Sequence, residues 1–214
     1  MTTEAVARSR WVVVQSGYSA VSPPGVDGAD FADACLADSY EAIAGMSGIH
    51  AGLAGDSSAL EEIRWPSDAV IDSDGRSALA VVRRLPIDDH DHPPTELIMI
   101  PADVPDLPEM IIAKIAKALS RVDLALAPQN GGEGLAAAGV RLPWPAWLDR
   151  DLDLDHDPYE ALSEIAPKRN LVVHTPGWHR IRSPESVHRL DPGLEGWDNV
   201  RLLLSTGHPA RPGS

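Results

Sequence analysis

A single cysteine, Cys35, stands in 214 residues, so an internal disulfide is impossible and every zinc motif built on paired cysteines is excluded. Basic residues are also scarce. Lys and Arg number 18 against 32 Asp and Glu, for a formal charge of −14 at pH 7. That balance repels nucleic-acid phosphates and anionic lipid surfaces, which argues against general DNA, RNA or membrane binding. No apolar run approaches the roughly 20 residues that span a bilayer, and Met1–Arg10 lacks the apolar stretch of a secretory signal. The expected setting is therefore reducing and cytoplasmic. Neither a Walker loop nor a Gly-x-Gly-x-x-Gly fingerprint occurs, so ordinary ATPase and dinucleotide-binding classes lack their phosphate cradle. A nucleophile elbow is missing too, and hydrolase chemistry is unsupported.

What is present suits a folded α/β protein. Hydrophobic residues make up 43% and charged residues 23%, enough for a sizeable core. Residues 1–205 are expected to form one domain, with 206–214 a disordered, polar, Pro-rich tail. Trp11–Gln15 (WVVVQ) and Leu97–Ile100 (LIMI) are continuous apolar runs, as expected of parallel strands buried on both faces. Asp123–Ala127 (DLALA) is a third central strand; weaker strands are read at Ile49–Ala54, Asp68–Asp72 and Leu171–His174, and an edge strand at Leu135–Val140. Helical spacing marks Asp30–Met46, with Asp27 or Asp30 as its cap, and Arg76–Leu85. Shorter helices are expected at Ser57–Ile63, Tyr159–Ile165 and Pro184–Leu190, the last capped by Ser183. Asp106, Pro108 and Glu109 announce a helix running to about Arg121, with Asp106 as its cap. A strand–helix–strand unit with so short a loop crosses over right-handedly, which predicts a mostly parallel sheet with helices on both faces, a Rossmann-like three-layer αβα fold.

Several groups could carry chemistry. Asp103 lies just past the end of a buried strand, where open α/β sheets place ligands; it could equally cap the turn between Pro101 and Pro105. Gly131, Gly132 and Gly134 permit close approach of a ligand, or make a tight hairpin turn. His90 and His92 among Asp88, Asp89 and Asp91 resemble a metal tract, but a solvated acidic loop is the better reading. Asp151, Asp153, Asp155 and Asp157 alternate like calcium ligands without the Gly and distal Glu of an EF-hand, and are read as acidic surface. Trp144, Trp147, Trp178 and Trp197 could anchor an interface or belong to the core.

The order strand, loop and helix, followed by Leu97-Ile98-Met99-Ile100-Pro101-Ala102-Asp103-Val104-Pro105 and then Ala127-Pro128-Gln129-Asn130-Gly131-Gly132, resembles the nucleotide-diphospho-sugar transferase superfamily. The match is closest to small bacterial glycosyltransferase-like proteins and more distant to 2-phospho-lactate guanylyltransferases. It covers most of Trp11–Leu190, its middle third being specific. The resemblance implies nucleotide contacts from Gln15, Ser16, Gly17 and Asp103. It implies an acceptor site at Asn130, Gly131, Gly132 and Glu133, and Mg²⁺ or Mn²⁺ on Asp103. Relatives carry basic residues in the loop after the first strand, but Gln15–Gly28 has none. Their late Asp-Val-Asp-Thr-Pro is here Arg180-Ile181-Arg182-Ser183-Pro184. A guanidinium cannot coordinate a metal, so Arg180 either faces a diphosphate in its place or sits in a salt bridge. Two functions remain open on these residues. One is a nucleotidyl- or glycosyl-transferase-like protein acting through Asp103 and Arg180 on a nucleotide or phosphorylated small molecule. The other is a non-catalytic descendant that binds a ligand or a protein, such as a second copy in a homodimer.

Overall fold

The computed structural model describes residues 9–86 and 92–206. Seven strands form one sheet: β1 (Arg10–Gln15), β2 (His50–Gly55), β3 (Ala69–Asp72), β4 (Glu96–Pro101), β5 (Leu124–Pro128), β6 (Leu135–Arg141) and β7 (Val172–His174). Their order is β3-β2-β1-β4-β6-β5-β7. Every pairing is parallel except those of β6, which runs antiparallel to both β4 and β5. The expected mostly parallel α/β sheet is the fold found.

The helices are α1 (Gly28–Ala44), α2 (Ser57–Leu60), α3 (Ala78–Arg84), α4 (Glu109–Leu119), α5 (Tyr159–Ile165) and α6 (Asp198–Thr206), with 3-10 turns at Arg169–Leu171 and Pro184–Arg189. Side chains alternate along β1. Val12 and Val14 join Ile43 of α1 and Ile111, Ile112 and Ile115 of α4 on one face, while Trp11 and Val13 join Val81 of α3 and Leu162 of α5 on the other. Burying both faces explains why β1 and β4 lack polar alternation. No helix among the described residues is long and apolar enough to cross a membrane.

Two expectations need correction, and one element was not expected. Leu135–Val140 is not an edge strand, because β6 lies between β4 and β5. Its weak apolar signal comes from Ala136, Ala137, Ala138 and Gly139; of these Ala136, Ala137 and Gly139 lie against α4 and let it close onto the sheet. A Cβ on Gly139 would stand 2.4 Å from Ile115 Cγ2. Arg141 then reaches the open end of α4, its Nε and Nη2 donating to Leu119 O at 3.1 and 2.7 Å. Asp106 does not cap α4, whose start has no side-chain cap. Its buried carboxylate instead accepts from Trp178 Nε1 (3.0 Å) and Asp191 N (3.1 Å), tying two late loops to the end of β4. The unexpected element is α6, which follows Trp197. It is held by a distant cap, the Asp38 carboxylate of α1, which accepts from Asn199 N and Nδ2 and from Val200 N at 2.8–3.0 Å.

Candidate functional site

The strands β1 and β4 end side by side, and the chain leaving each is fastened at once. Ala102 N donates to Gln15 O (3.2 Å), Ser16 N to Ala54 O (2.9 Å) and Gly17 N to Gly75 O (3.1 Å). The amides of Ser16 and Gly17, expected to meet a nucleotide base, are thus spent within the protein. Gln15 is fully buried, and its side-chain amide has no hydrogen-bond partner among the described residues.

Asp103 leaves the end of β4 with its carbonyl accepting from Ile181 N (2.9 Å), while Ile181 O accepts from Val21 N (2.9 Å). This lays the segment 180–182 alongside Asp103. The outcome differs from a ligand cleft. Asp103 and Arg180 are both 0% exposed. Arg180 Nε donates to Asp103 Oδ1 at 2.8 Å and Nη2 to Oδ2 at 3.0 Å, a fork-to-fork pair. Nη2 also donates to Asp155 Oδ1 (3.1 Å), and Nη1 donates to the carbonyls of Leu135 (3.2 Å) and Leu154 (2.6 Å). These five contacts use all five N–H donors a guanidinium owns. Arg180 therefore has nothing left to offer a diphosphate. Asp103, expected at a strand end that receives a ligand, is closed off from solvent and lines no cavity among the described residues. Burial pushes the Asp103 carboxyl up from its ordinary range, against the pull of the Arg180 and Arg182 charges.

Around this pair the residues read as acidic surface stay at the surface, Asp151, Asp153 and Asp157 being exposed, and they also hold the chain together. Leu152 and Leu154 are buried in the core, so the alternation turns Asp151, Asp153 and Asp155 the other way. Asp151 accepts from Leu79 N (3.0 Å) and from the Ser77 hydroxyl. Asp153 accepts from Tyr18 Oη (3.1 Å), and Tyr18 Oη in turn accepts from Leu154 N (2.9 Å). Asp155 bonds Arg76, Arg180 and Arg182 together. Partial burial raises its carboxyl, but the bonds from Arg182 and Arg76 and the charges of Arg180 and Arg182 hold it below the usual value. Tyr18 lies beneath two guanidinium groups, with Arg76 at 4.3 Å and Arg180 at 5.3 Å from its ring centre. Its hydroxyl is pushed up by burial. Tyr18, Arg76 and Asp155 were missed in the sequence, although the period-2 pattern Asp-Leu-Asp-Leu-Asp was the available signal for the last.

The divalent metal of the resembled family does not fit these residues. Both oxygens of Asp103 are held by a guanidinium, and no group of three or more His, Cys, Asp or Glu side chains among the described residues could hold a metal ion. Of the tract at Asp88–His92, residues 88–91 lie outside the described residues.

The Asn130–Gly132 turn is partly covered. Arg189 Nη1 donates to Asn130 O (2.8 Å), Asn130 N donates to Trp178 O (2.8 Å), and Asn130 Nδ2 donates to Gly177 O (3.2 Å). Beyond it, Gly132, Glu133 and Gly134 face His156, Asp157 and Pro128 across a cavity of about 450 Å³. Asp157 Oδ2 lies 2.9 Å from His174 Nε2, whose ring stacks on Tyr159 with centres 4.1 Å apart. The four tryptophans considered as interface anchors turn their indole N–H groups inward. Trp144 donates to Leu148 O, Trp147 to Asp123, Trp178 to Asp106 and Trp197 to Asp191 O.

No protein-family model matches the chain, and no curated protein is similar to it in sequence. Solved structures do match. A Desulfovibrio desulfuricans G20 protein assigned to the nucleotide-diphospho-sugar transferases superposes with a TM-score of 0.61 at 15% identity, over 94% of this chain and 98% of its own. The 4-diphosphocytidyl-2C-methyl-D-erythritol synthase of Anaerococcus prevotii gives 0.56 at 9% identity, over 86% and 95%. A cytidylyltransferase of Leptospira borgpetersenii gives 0.55 at 9% identity, over 98% and 100%. At such identities these likenesses speak for architecture alone, and on that architecture the chain has the fold of the nucleotide-diphospho-sugar transferases and cytidylyltransferases.

Proposed function

We propose that this chain keeps the nucleotidyltransferase fold as a non-catalytic, small-molecule-binding protein whose metal and phosphate centre has been replaced by internal ion pairs. The observation that carries the reading is the complete internal use of Arg180, with Asp103 held at both oxygens. A phosphoryl-transfer site needs positive charge free to meet the developing charge on phosphate, and a guanidinium fixed by five protein acceptors cannot supply it. Ligand binding moves instead to the cavity beside Gly132–Gly134. Its volume suits a small molecule, and its lining offers Glu133, His156 and Asp157 with no Lys or Arg. Such a lining recognises hydroxyl groups, as on a sugar, rather than phosphate.

A transfer assay tests the first half. Each nucleoside triphosphate is incubated with the protein and candidate sugar phosphates in Mg²⁺ or Mn²⁺, and pyrophosphate release is measured; none is expected. Metal-dependent release that Asp103→Asn abolishes would restore a transferase. The second half is read by thermal shift, where uncharged sugars raise the unfolding midpoint of the wild type and not of Glu133→Gln.

A further inference from the structure

The ion pairs beside the Arg180–Asp103 fork contain an unusual balance. Three guanidinium groups, of Arg76, Arg180 and Arg182, meet three carboxylates, of Asp103, Asp153 and Asp155, and the cluster is neutral. Asp155 is the hub. It touches all three arginines, and two of these keep an open side, the side chains of Arg76 and Arg182 being 45% and 39% exposed. Tyr18 backs Arg76 at 4.3 Å, and a small cavity of about 220 Å³ opens beside it, its other polar lining being Asp74, Ser77, Asp151 and Asp153. The cluster sits past the ends of β1 and β4, where an open α/β sheet receives ligands.

Convergent guanidinium groups around one carboxylate are the arrangement by which proteins hold a phosphate oxygen. Here the carboxylate belongs to the chain itself. It is not on a lid free to swing away, because Leu152 and Leu154 anchor the segment in the core and Leu135 N donates to Leu154 O at 2.8 Å. We infer that Asp155 is a built-in occupant of an anion site made by Arg76 and Arg182, with Arg180 behind them. The native protein therefore takes no phosphate there, whereas removing the Asp155 charge uncovers a site for a phosphate-bearing anion. This deepens the functional reading above by naming what excludes phosphate from the strand ends.

The test is calorimetric titration of the full chain with inorganic pyrophosphate at low salt, without metal. The wild type is expected to bind weakly. Asp155→Ala, which removes the carboxylate and empties the place it fills, is expected to bind at least about tenfold tighter, the gain in one charge-assisted contact. Adding Arg182→Gln to Asp155→Ala should cancel the gain. Equal affinity in the wild type and a folded Asp155→Ala protein would overturn the proposal, as would a gain that survives Arg182→Gln. Should Asp155→Ala fail to fold, Asp155→Ser takes its place, and no gain in it overturns the proposal. Because pyrophosphate binding is read without turnover, its failure leaves the transfer assay untouched. Nucleotide transfer by the wild type would conversely sink the functional reading on its own.

Discussion

Arg180 and Asp103 are joined by two parallel hydrogen bonds, 2.8 and 3.0 Å, with neither residue touched by solvent. A charge pair removed from water gains Coulomb energy but forfeits hydration, so its worth depends on every remaining donor finding an acceptor. Here each does, including two backbone carbonyls 19 residues apart, Leu135 and Leu154. The pair therefore fixes three chain segments relative to one another.

Removing one partner exposes that dependence. Arg180→Met leaves Asp103 buried without its hydrogen-bonded partner, with only Arg182 at 3.6 Å, and should cost about 3–5 kcal/mol in urea unfolding. Arg180→Lys should recover little, since an ammonium cannot repeat the planar fork. Replacing both residues, as Asp103→Leu with Arg180→Met, should restore much of the loss. Equal instability in the single and double variants would show that the carbonyl contacts, not the charge pair, dominate.

The contrast between fold and site explains what could be read in the chain. β1 and β4 were legible because burial on both faces demands unbroken apolar runs, a local property. The place of β6 was not, because Gly139 takes its meaning from Ile115 and Leu119 of α4, which pack directly on it. Likewise α6 depends on a carboxylate 160 residues earlier in the chain, at Asp38. For Arg180 the sequence left a diphosphate contact and a salt bridge both open, because only geometry shows that Asp103, Leu135, Leu154 and Asp155 exhaust its donors.

Asp38 makes stability depend on pH. Desolvation raises its carboxyl from 3.8 to about 6, although the bonds from Val200 and Asn199 favour the charged form. Between those values the folded protein holds a proton that the unfolded chain has released, so this group's contribution grows as pH falls from 7 towards 4. Asp38→Asn removes the titration and one acceptor, at a cost of about 1 kcal/mol. The wild-type advantage over Asp38→Asn, measured by denaturant unfolding, should be larger at pH 5 than at pH 7.5. A constant or reversed difference would contradict the raised value.

Divalent metal should leave the protein unmoved. With Asp103 occupied and Asp155 shared among three arginines, a cation approaching the cluster meets guanidinium charge and no free carboxylate pair. Millimolar Mg²⁺ or Mn²⁺, and equally a chelator, are expected to leave the thermal midpoint unchanged within error. A metal-dependent rise that vanishes in Asp103→Asn would place an ion where the ion pair now stands.

Gly134 links the strand β6 to the segment that fills the site. Its φ is +94°, and a Cβ there would lie 2.6 Å from Leu154 O and 2.9 Å from the Asp155 carbonyl. Gly134→Ala therefore combines left-handed strain of about 1–2 kcal/mol with a clash against backbone that cannot rotate away. The displaced atom is Leu154 O, which accepts both from Leu135 N and from Arg180 Nη1. The loss should exceed the strain alone, reaching about 2–4 kcal/mol in urea unfolding. It should also fall in a background where the Arg180 contact is already gone, so that Gly134→Ala costs less in Arg180→Met than in the wild type. Strict additivity of the two substitutions would mean that Leu154 O moves without disturbing the guanidinium, and that the acidic segment and the buried pair are independent.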